Sequence, residues 1–379
     1  MKQTLTIGLD AKRIVRNGTG LGSYGRTLAN DLASIGGFDL RLYAPDKGRD
    51  DLRQQVPERE NLHFCYPPDG KTAIGKAIWR SWGVTRQLRR DGVQVYHGLS
   101  GELPIGISRS GIRSVVTIHD LIFLRHPEYY NPIDVWIYTR KLRQTLREAD
   151  CIVAISECTQ RDIIELGHVA PSRIRLVYQS CAPRFSAEGN ADEDEAVSRK
   201  YQLPQRYVLS VGSIEERKNI GLAVKALHHL PEEVCLVAVG RQTDYARRVL
   251  AEADRTGLSH RVLFLSGVPD EDLPAIYRCA DTFVYPSRYE GFGIPIIEAI
   301  GCHLPVVACT GSCLEEAGGP DSLYVAPDDD KALANAITQT LRGADGREQR
   351  IIRSREYIRR FEGNDVAGQI AAIYEELKN

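Results

Sequence analysis

The chain has 379 residues, more than one ordinary domain holds, so two domains are expected. A composition of 42% hydrophobic and 26% charged residues is that of a folded globular protein and excludes a disordered or fibrous chain. The net charge of −1 excludes a basic nucleic-acid-binding protein, but it is unevenly spread: residues 1–185 carry +8 and residues 186–379 carry −9.

The segment Met1-Lys2-Gln3-Thr4 runs straight into an apolar, β-rich stretch, so no signal peptide is read. No apolar run reaches the ~18 residues needed to span a membrane. The nine cysteines are scattered and lack metal-site spacing. They read as reduced, buried thiols and fit a cytoplasmic protein.

Short apolar runs predict strands at 5–9, 40–44, 62–66, 93–97, 114–118, 152–155 and 174–178. Amphipathic stretches predict helices at 23–34, 73–90, 132–148 and 157–166. The acidic stretch 187–195 has no apolar periodicity and reads as a linker or exposed loop. Strands are then predicted at 207–211, 234–239, 262–265, 282–285, 306–308 and 323–325. Val366, Ile370, Ile373, Tyr374 and Leu377 form one apolar helical face near the end. Strands alternating with helices in two successive halves predict two Rossmann-like domains with a cleft between them.

Chemistry-bearing residues cluster where predicted strands end. The first strand is followed by Asn17-Gly18-Thr19-Gly20-Leu21-Gly22-Ser23, with Ser23 placed to cap a helix. The spacing lacks the third glycine of a G-x-G-x-x-G nicotinamide-nucleotide loop, and there is no P-loop. His97 and His119 end two strands, and Asp120 is placed to orient His119. In the second half, Arg217 and Lys218 follow a strand and precede a helix, where they can neutralise a diphosphate. Gly267 and Val268 follow another strand and can read a base edge; a capping loop is the plainer alternative. The stretch Lys71-Thr72-Ala73 to Trp82 is basic and aromatic. It reads equally as a surface for anionic lipid or as a core-facing helix with a charged outer face.

The most specific segment is Tyr285-Pro286-Ser287-Arg288-Tyr289-Glu290-Gly291-Phe292-Gly293-Ile294-Pro295, continuing to Glu298. It reads as a strand end, a glycine turn and a helix start able to attract phosphate. Two carboxylates eight positions apart must then face something neutral, such as a sugar and a ribose.

In order and register these motifs resemble the large retaining GT-B glycosyltransferase family with the E-x7-E motif, glycosyltransferase family four. That family includes bacterial O-antigen mannosyltransferases. The resemblance implies an α/β GT-B fold of three parts. Residues 1–185 form the acceptor domain, 186–360 the nucleotide-sugar domain, and 361–379 a helix packing back on the first domain. It implies that Glu290 meets the donor sugar, that Glu298 holds the ribose and that Gly291, Phe292 and Gly293 approach sugar and diphosphate through their backbone. Arg217 and Lys218 then hold the phosphates and Val268 meets the base. His119 lies near the reacting sugar. Gly20 belongs to the donor site, and Gly18, Leu21, His97 and Asp120 to the acceptor site. Many relatives carry Arg where Ser213 stands, so one phosphate contact is either missing or passes to Arg217.

The implied activity is retaining transfer of a hexose from a nucleotide sugar, GDP-mannose favoured, to a lipid-linked oligosaccharide. No cofactor, metal or nucleic acid is implied. The basic first half allows peripheral contact with a membrane. Front-side attack and double displacement through Glu290 both remain open. So do a UDP-sugar donor and a non-catalytic nucleotide-sugar-binding module.

Overall fold

The computed structural model describes residues 4–68 and 72–378. Met1, Lys2, Gln3 and Lys71, which figured in the sequence reading, lie outside the described residues. Two units emerge: residues 1–178 with 365–379, and residues 179–364. The sequence reading drew these boundaries at 185/186 and 360/361.

The first unit is built on a parallel sheet. Its strands are β1 (Leu5–Asp10), β2 (Phe38–Tyr43), β3 (Leu62–Cys65), β4 (Val95–Gly98), β5 (Arg113–Ile118), β6 (Cys151–Ala154) and β7 (Ile174–Leu176), in the order β3-β2-β1-β4-β5-β6-β7. Both faces are covered, which is why the strands read as continuous apolar runs. Ile7, Leu9, Leu40, Val95 and Val115 face the helices Gly20–Ile35 and Val366–Lys378. Tyr96, Val116, Ile118 and Ile152 pack with Leu88, Leu142, Leu146 and Ile163 on the opposite side.

The second unit repeats the scheme. Its strands are β8 (Tyr207–Val211), β9 (Cys235–Val239), β10 (Val262–Leu265), β11 (Thr282–Tyr285), β12 (Val306–Cys309) and β13 (Leu323–Val325), in the order β10-β9-β8-β11-β12-β13. In each sheet the winding reverses once, between β1 and β4 and between β8 and β11. Doubly wound sheets bind ligands beyond the carboxyl ends of the strands at such a reversal. Every predicted strand is present within two residues of its expected ends.

Four expectations need correction. The acidic stretch is no linker: Ala191–Lys200 is a helix of the second unit. Asn190 caps it by accepting from the Asp192 amide, and Asp192, Glu193 and Asp194 complement its positive N-terminal end. Asp194 also pairs with Arg278 at 2.5 Å. A short helix, Lys12–Arg16, follows β1, and the next starts at Gly20, so its N-cap is Thr19 and Ser23 lies inside it. The predicted 73–90 helix is interrupted by a π-helical turn, Trp79–Gly83.

The fourth correction concerns His97. It ends β4 but is 0% exposed, with Nδ1 2.6 Å from the Tyr374 hydroxyl and Nε2 2.8 Å from Thr117 Oγ1. Burial pushes its pKa down to about 3, with His119 adding to the effect, so the ring is neutral. Both nitrogens are engaged inside the unit, and no surface remains for an acceptor. His97 instead fastens the C-terminal helix to the sheet. Tyr374→Phe removes one partner of a buried ring and is expected to cost about 1–2 kcal/mol of stability. Urea denaturation of the full chain checks this; an unchanged midpoint contradicts the assignment.

Candidate active site

At the reversal in the second sheet, β8 and β11 lie side by side and their following loops meet. The loop after β8 makes a 3₁₀ turn, Glu216–Lys218, that carries both predicted cations. Asn219 then adopts a left-handed conformation, φ 56°. Its side-chain amide donates to the Pro286 carbonyl at 3.1 Å and the Pro327 carbonyl at 2.8 Å. The Arg288 amide donates to the Arg217 carbonyl at 2.9 Å. The two loops are thus stitched together by one backbone hydrogen bond and by the Asn219 side chain.

Glu290 is the centre of this arrangement and only 7% exposed. One carboxylate oxygen lies 2.5 Å from Lys218 Nζ and the other 2.8 Å from Arg217 Nη1. Burial opposes ionisation of Glu290, but the two cations outweigh it and its pKa is lowered. Burial likewise opposes charge on Lys218, and Glu290 more than restores it. Arg217 also pairs with the more exposed Glu215 at 2.8 Å and donates to the Tyr289 carbonyl at 2.6 Å. Tyr285, the last residue of β11, is 2.6 Å from Lys218 Nζ through its hydroxyl and presents its ring 4.8 Å away.

Glu298 sits about one turn along the helix Ile294–Gly301 and behaves differently. Tyr277 donates to it at 2.9 Å, and no cation pairs with it among the described residues. Burial therefore prevails and raises its pKa to about 7. The two carboxylates of the motif thus occupy opposite electrostatic environments: Glu290 is held ionised, and Glu298 is poised near neutrality.

Gly293 precedes that helix because a Cβ there would come within 2.6 Å of Ala317 Cβ. Phe292 turns its ring inward, edge-on to Phe361 at 5.5 Å, which leaves its backbone as the part able to approach a ligand. The helix start offers less to an anion than its sequence implied. Pro295 has no N–H, and Ile296 and Ile297 both donate to the Gly293 carbonyl at 2.9 and 3.2 Å. The cationic groups beside this turn are Arg217 and Lys218. Val268 is half-buried just beyond β10 and follows Gly267, whose φ is 68°.

The remaining predicted residues belong to the first unit. His119 follows β5, and its Nε2 donates to the Leu99 carbonyl at 2.8 Å. Burial lowers its pKa to about 4, so the ring is a neutral donor with a fixed tautomer. The Tyr24 ring lies edge-on to it at 4.9 Å. Asp120 accepts from the Ile122 amide at 3.2 Å and so starts the next helical turn. Gly18, Gly20 and Leu21 lie around the start of the helix Gly20–Ile35. Behind them Gly22 is required, since a Cβ would meet the Asn17 carbonyl oxygen at 1.8 Å. The buried Arg26 donates to that same carbonyl at 2.8 Å, so the glycine-rich loop is braced from below.

Sequence reasoning missed Tyr285, Asn219 and Tyr277. Tyr285 alone carried a signal, as a polar-tipped residue ending an apolar strand beside the motif.

Two family descriptions match the chain: Glycosyltransferase Family 4 over residues 18–180 and Glycosyl transferases group 1 over residues 192–357. The chain is 33% identical over 291 residues to an O-antigen chain mannosyltransferase B of Escherichia coli, covering 75% of this chain and 74% of that one. It is 30% identical over 260 residues to the serotype-specific mannosyltransferase WbdA of Escherichia coli, covering 66% of this chain but only 32% of that longer protein. A sucrose-phosphate synthase structure from Thermosynechococcus elongatus superposes with a TM-score of 0.78 at 22% identity, over 98% of this chain and 99% of that one. On these matches, and on two Rossmann-like parallel sheets, the chain belongs to glycosyltransferase family 4 and has the GT-B fold.

Proposed function

We propose that this glycosyltransferase transfers mannose from GDP-mannose, with retention of anomeric configuration, to a lipid-linked glycan of a bacterial surface polysaccharide. The single observation that carries the donor-site reading is the buried Lys218–Glu290–Arg217 cluster at the sheet reversal. The similarity to proteins named mannosyltransferases supports the sugar and the class of product.

Breaking the bond between sugar and diphosphate builds negative charge on the leaving group. Lys218 and Arg217 are placed by the backbone rather than by a flexible loop, so they stabilise that charge without reorganising. With Glu215 and Glu290 as partners the four charges cancel. A diphosphate therefore binds by taking the cations over from the carboxylates. Once Lys218 turns to phosphate, Glu290 is free to accept hydrogen bonds from the sugar hydroxyls. A carboxylate engaged by the sugar hydroxyls is not aimed at the anomeric carbon, which favours front-side attack, with the leaving diphosphate taking the acceptor proton. His119, a neutral donor, serves the sugar from the first unit. Glu298 serves the ribose, Val268 the base, and the backbone of Gly291, Phe292 and Gly293 the sugar and diphosphate. Gly20 serves the donor phosphates, and Gly18, Leu21 and Asp120 the acceptor side.

Offered a panel of nucleotide sugars together with a lipid-linked glycan acceptor, the protein is expected to release nucleoside diphosphate from GDP-mannose, with or without a chelator. Preferential release from a UDP-sugar would move the reading to a different donor. Lys218→Ala is expected to weaken GDP-mannose binding about 10- to 100-fold and to slow transfer with it. Unchanged affinity and rate would remove the phosphate assignment. Glu290→Gln, which keeps shape but not charge, is expected to lower kcat at least about 100-fold, read by product formation. A nearly unchanged kcat would deny Glu290 its place at the sugar.

Glu298 generates a pH dependence. Ribose hydroxyls donate to the ionised carboxylate, so donor binding favours loss of the proton that burial retains below about pH 7. Affinity for GDP-mannose should rise with pH through about 7 and then level off, with proton release on binding. Calorimetry in buffers of different ionisation enthalpy measures both. Glu298→Gln should abolish the proton release, and a flat wild-type profile would contradict the assignment.

A further inference from the structure

The first unit contains a groove of about 1320 Å³ that nothing above has used. It runs between the interrupted helical stretch Ala73–Arg90 and the helix Pro132–Glu148. Its volume exceeds the ~300–1,000 Å³ usual for compact small ligands, so it suits an elongated one.

A cationic and an apolar zone line it, and they adjoin where the Arg140 guanidinium lies over the Trp136 ring at 5.9 Å. The floor lies beyond the carboxyl end of β1 and is cationic. Its two carboxylates are already shared: Asp46 by Arg16 and by Lys76 at 3.1 Å, and Glu102 by Arg80 and by Lys141 at 3.4 Å. Arg80 is aimed inward from the π-helical turn and is also held by Asp10 at 2.5 Å. Among the described residues no carboxylate pairs with Lys12, Arg140 or Arg143, all of which line the groove. Lys12 is half-buried, and burial and then Arg80 lower its pKa. Asp10 and Glu102 partly offset that effect but are themselves paired with Arg80, so among the described residues Lys12 has no carboxylate at salt-bridge distance and can meet an incoming anion.

The rim is apolar and open to solvent. Trp136 is 64% exposed, Trp82 56% and Ile105 41%. Large apolar side chains exposed together at the mouth of a groove mark a binding surface. The site is concave rather than flat, which suits a single molecule better than the plane of a bilayer.

We propose that this groove binds one amphiphile, with its phosphate or diphosphate on Lys12, Arg140 and Arg143 and its hydrocarbon chain along Trp82, Ile105 and Trp136. This deepens the reading of a lipid-linked acceptor and rests on it: the groove would hold the acceptor's lipid phosphate while the glycan extends away.

Trp82 and Trp136 report on the groove directly, because the third tryptophan, Trp79, is buried. The full-length protein is titrated with geranylgeranyl diphosphate in neutral detergent, with geranylgeraniol, with inorganic pyrophosphate and with phosphatidylglycerol vesicles. The expected result is a saturable blue shift of tryptophan emission with geranylgeranyl diphosphate. Head alone and tail alone should bind at least about tenfold more weakly, because each loses the effective concentration that the other supplies. The double variant Arg140→Gln/Arg143→Gln and the variant Trp136→Ala should each weaken binding about tenfold while leaving GDP-mannose affinity unchanged. Absence of the shift, equal binding of pyrophosphate, or a shift with vesicles alone would overturn the proposal, the last pointing to a membrane surface instead. Failure to bind GDP-mannose would count against the donor reading and leaves the emission result to judge the groove by itself.

Discussion

The second unit's chemistry depends on one buried carboxylate shared by two cations. Taking three charges out of water is unfavourable, and their mutual attraction repays it only when geometry is fixed. That geometry comes from the reversal in the sheet, which sets β8 beside β11, and from Asn219, which ties the two following loops together. Glu290, Lys218 and Arg217 are therefore presented together at the edge of the sheet, and the proposed diphosphate would meet cations already in position. Glu298, eight residues on, lacks such partners and keeps a proton near pH 7. One short motif thus holds two carboxylates whose pKa values are pushed in opposite directions, Glu290 down by its cations and Glu298 up by burial.

The first unit relies on a different constraint. A neutral histidine inside the sheet joins Tyr374 of the last helix to Thr117 of β5, and Tyr24 of the glycine-loop helix lies 3.2 Å from the same threonine hydroxyl. The return of the chain to this unit is thereby specified by polar contacts as well as by apolar packing of Ile370 and Ile373. On the far side of the reversal the same unit opens a groove whose cations outnumber their carboxylate partners. Structural fastening and candidate binding surface are kept apart on the two faces of one sheet.

The strands were legible because buried parallel strands are continuous apolar runs bounded by turn residues. Glu290 and Glu298 were legible because their spacing survives in the linear chain. The helix Ala191–Lys200 was not: it has no buried residue and hence no apolar face, and is held by its cap and its charge pattern. His97 was misjudged because ending a strand does not reveal what a side chain faces, and its partner lies 277 positions later. Tyr285 and Asn219 were missed for the same reason, since their partners are 67 positions away. The near-neutral pKa of Glu298 is a property of burial that no local pattern encodes.

The most direct test of the central claim is a crystal structure with GDP-mannose, or an unreactive analogue of it, bound to the second unit. The account predicts that Lys218 Nζ leaves Glu290 for a diphosphate oxygen, within hydrogen-bond distance of about 3 Å, and that Glu290 turns to the sugar hydroxyls. A bound donor whose phosphates sit elsewhere, with the Lys218–Glu290 pair intact, would contradict it.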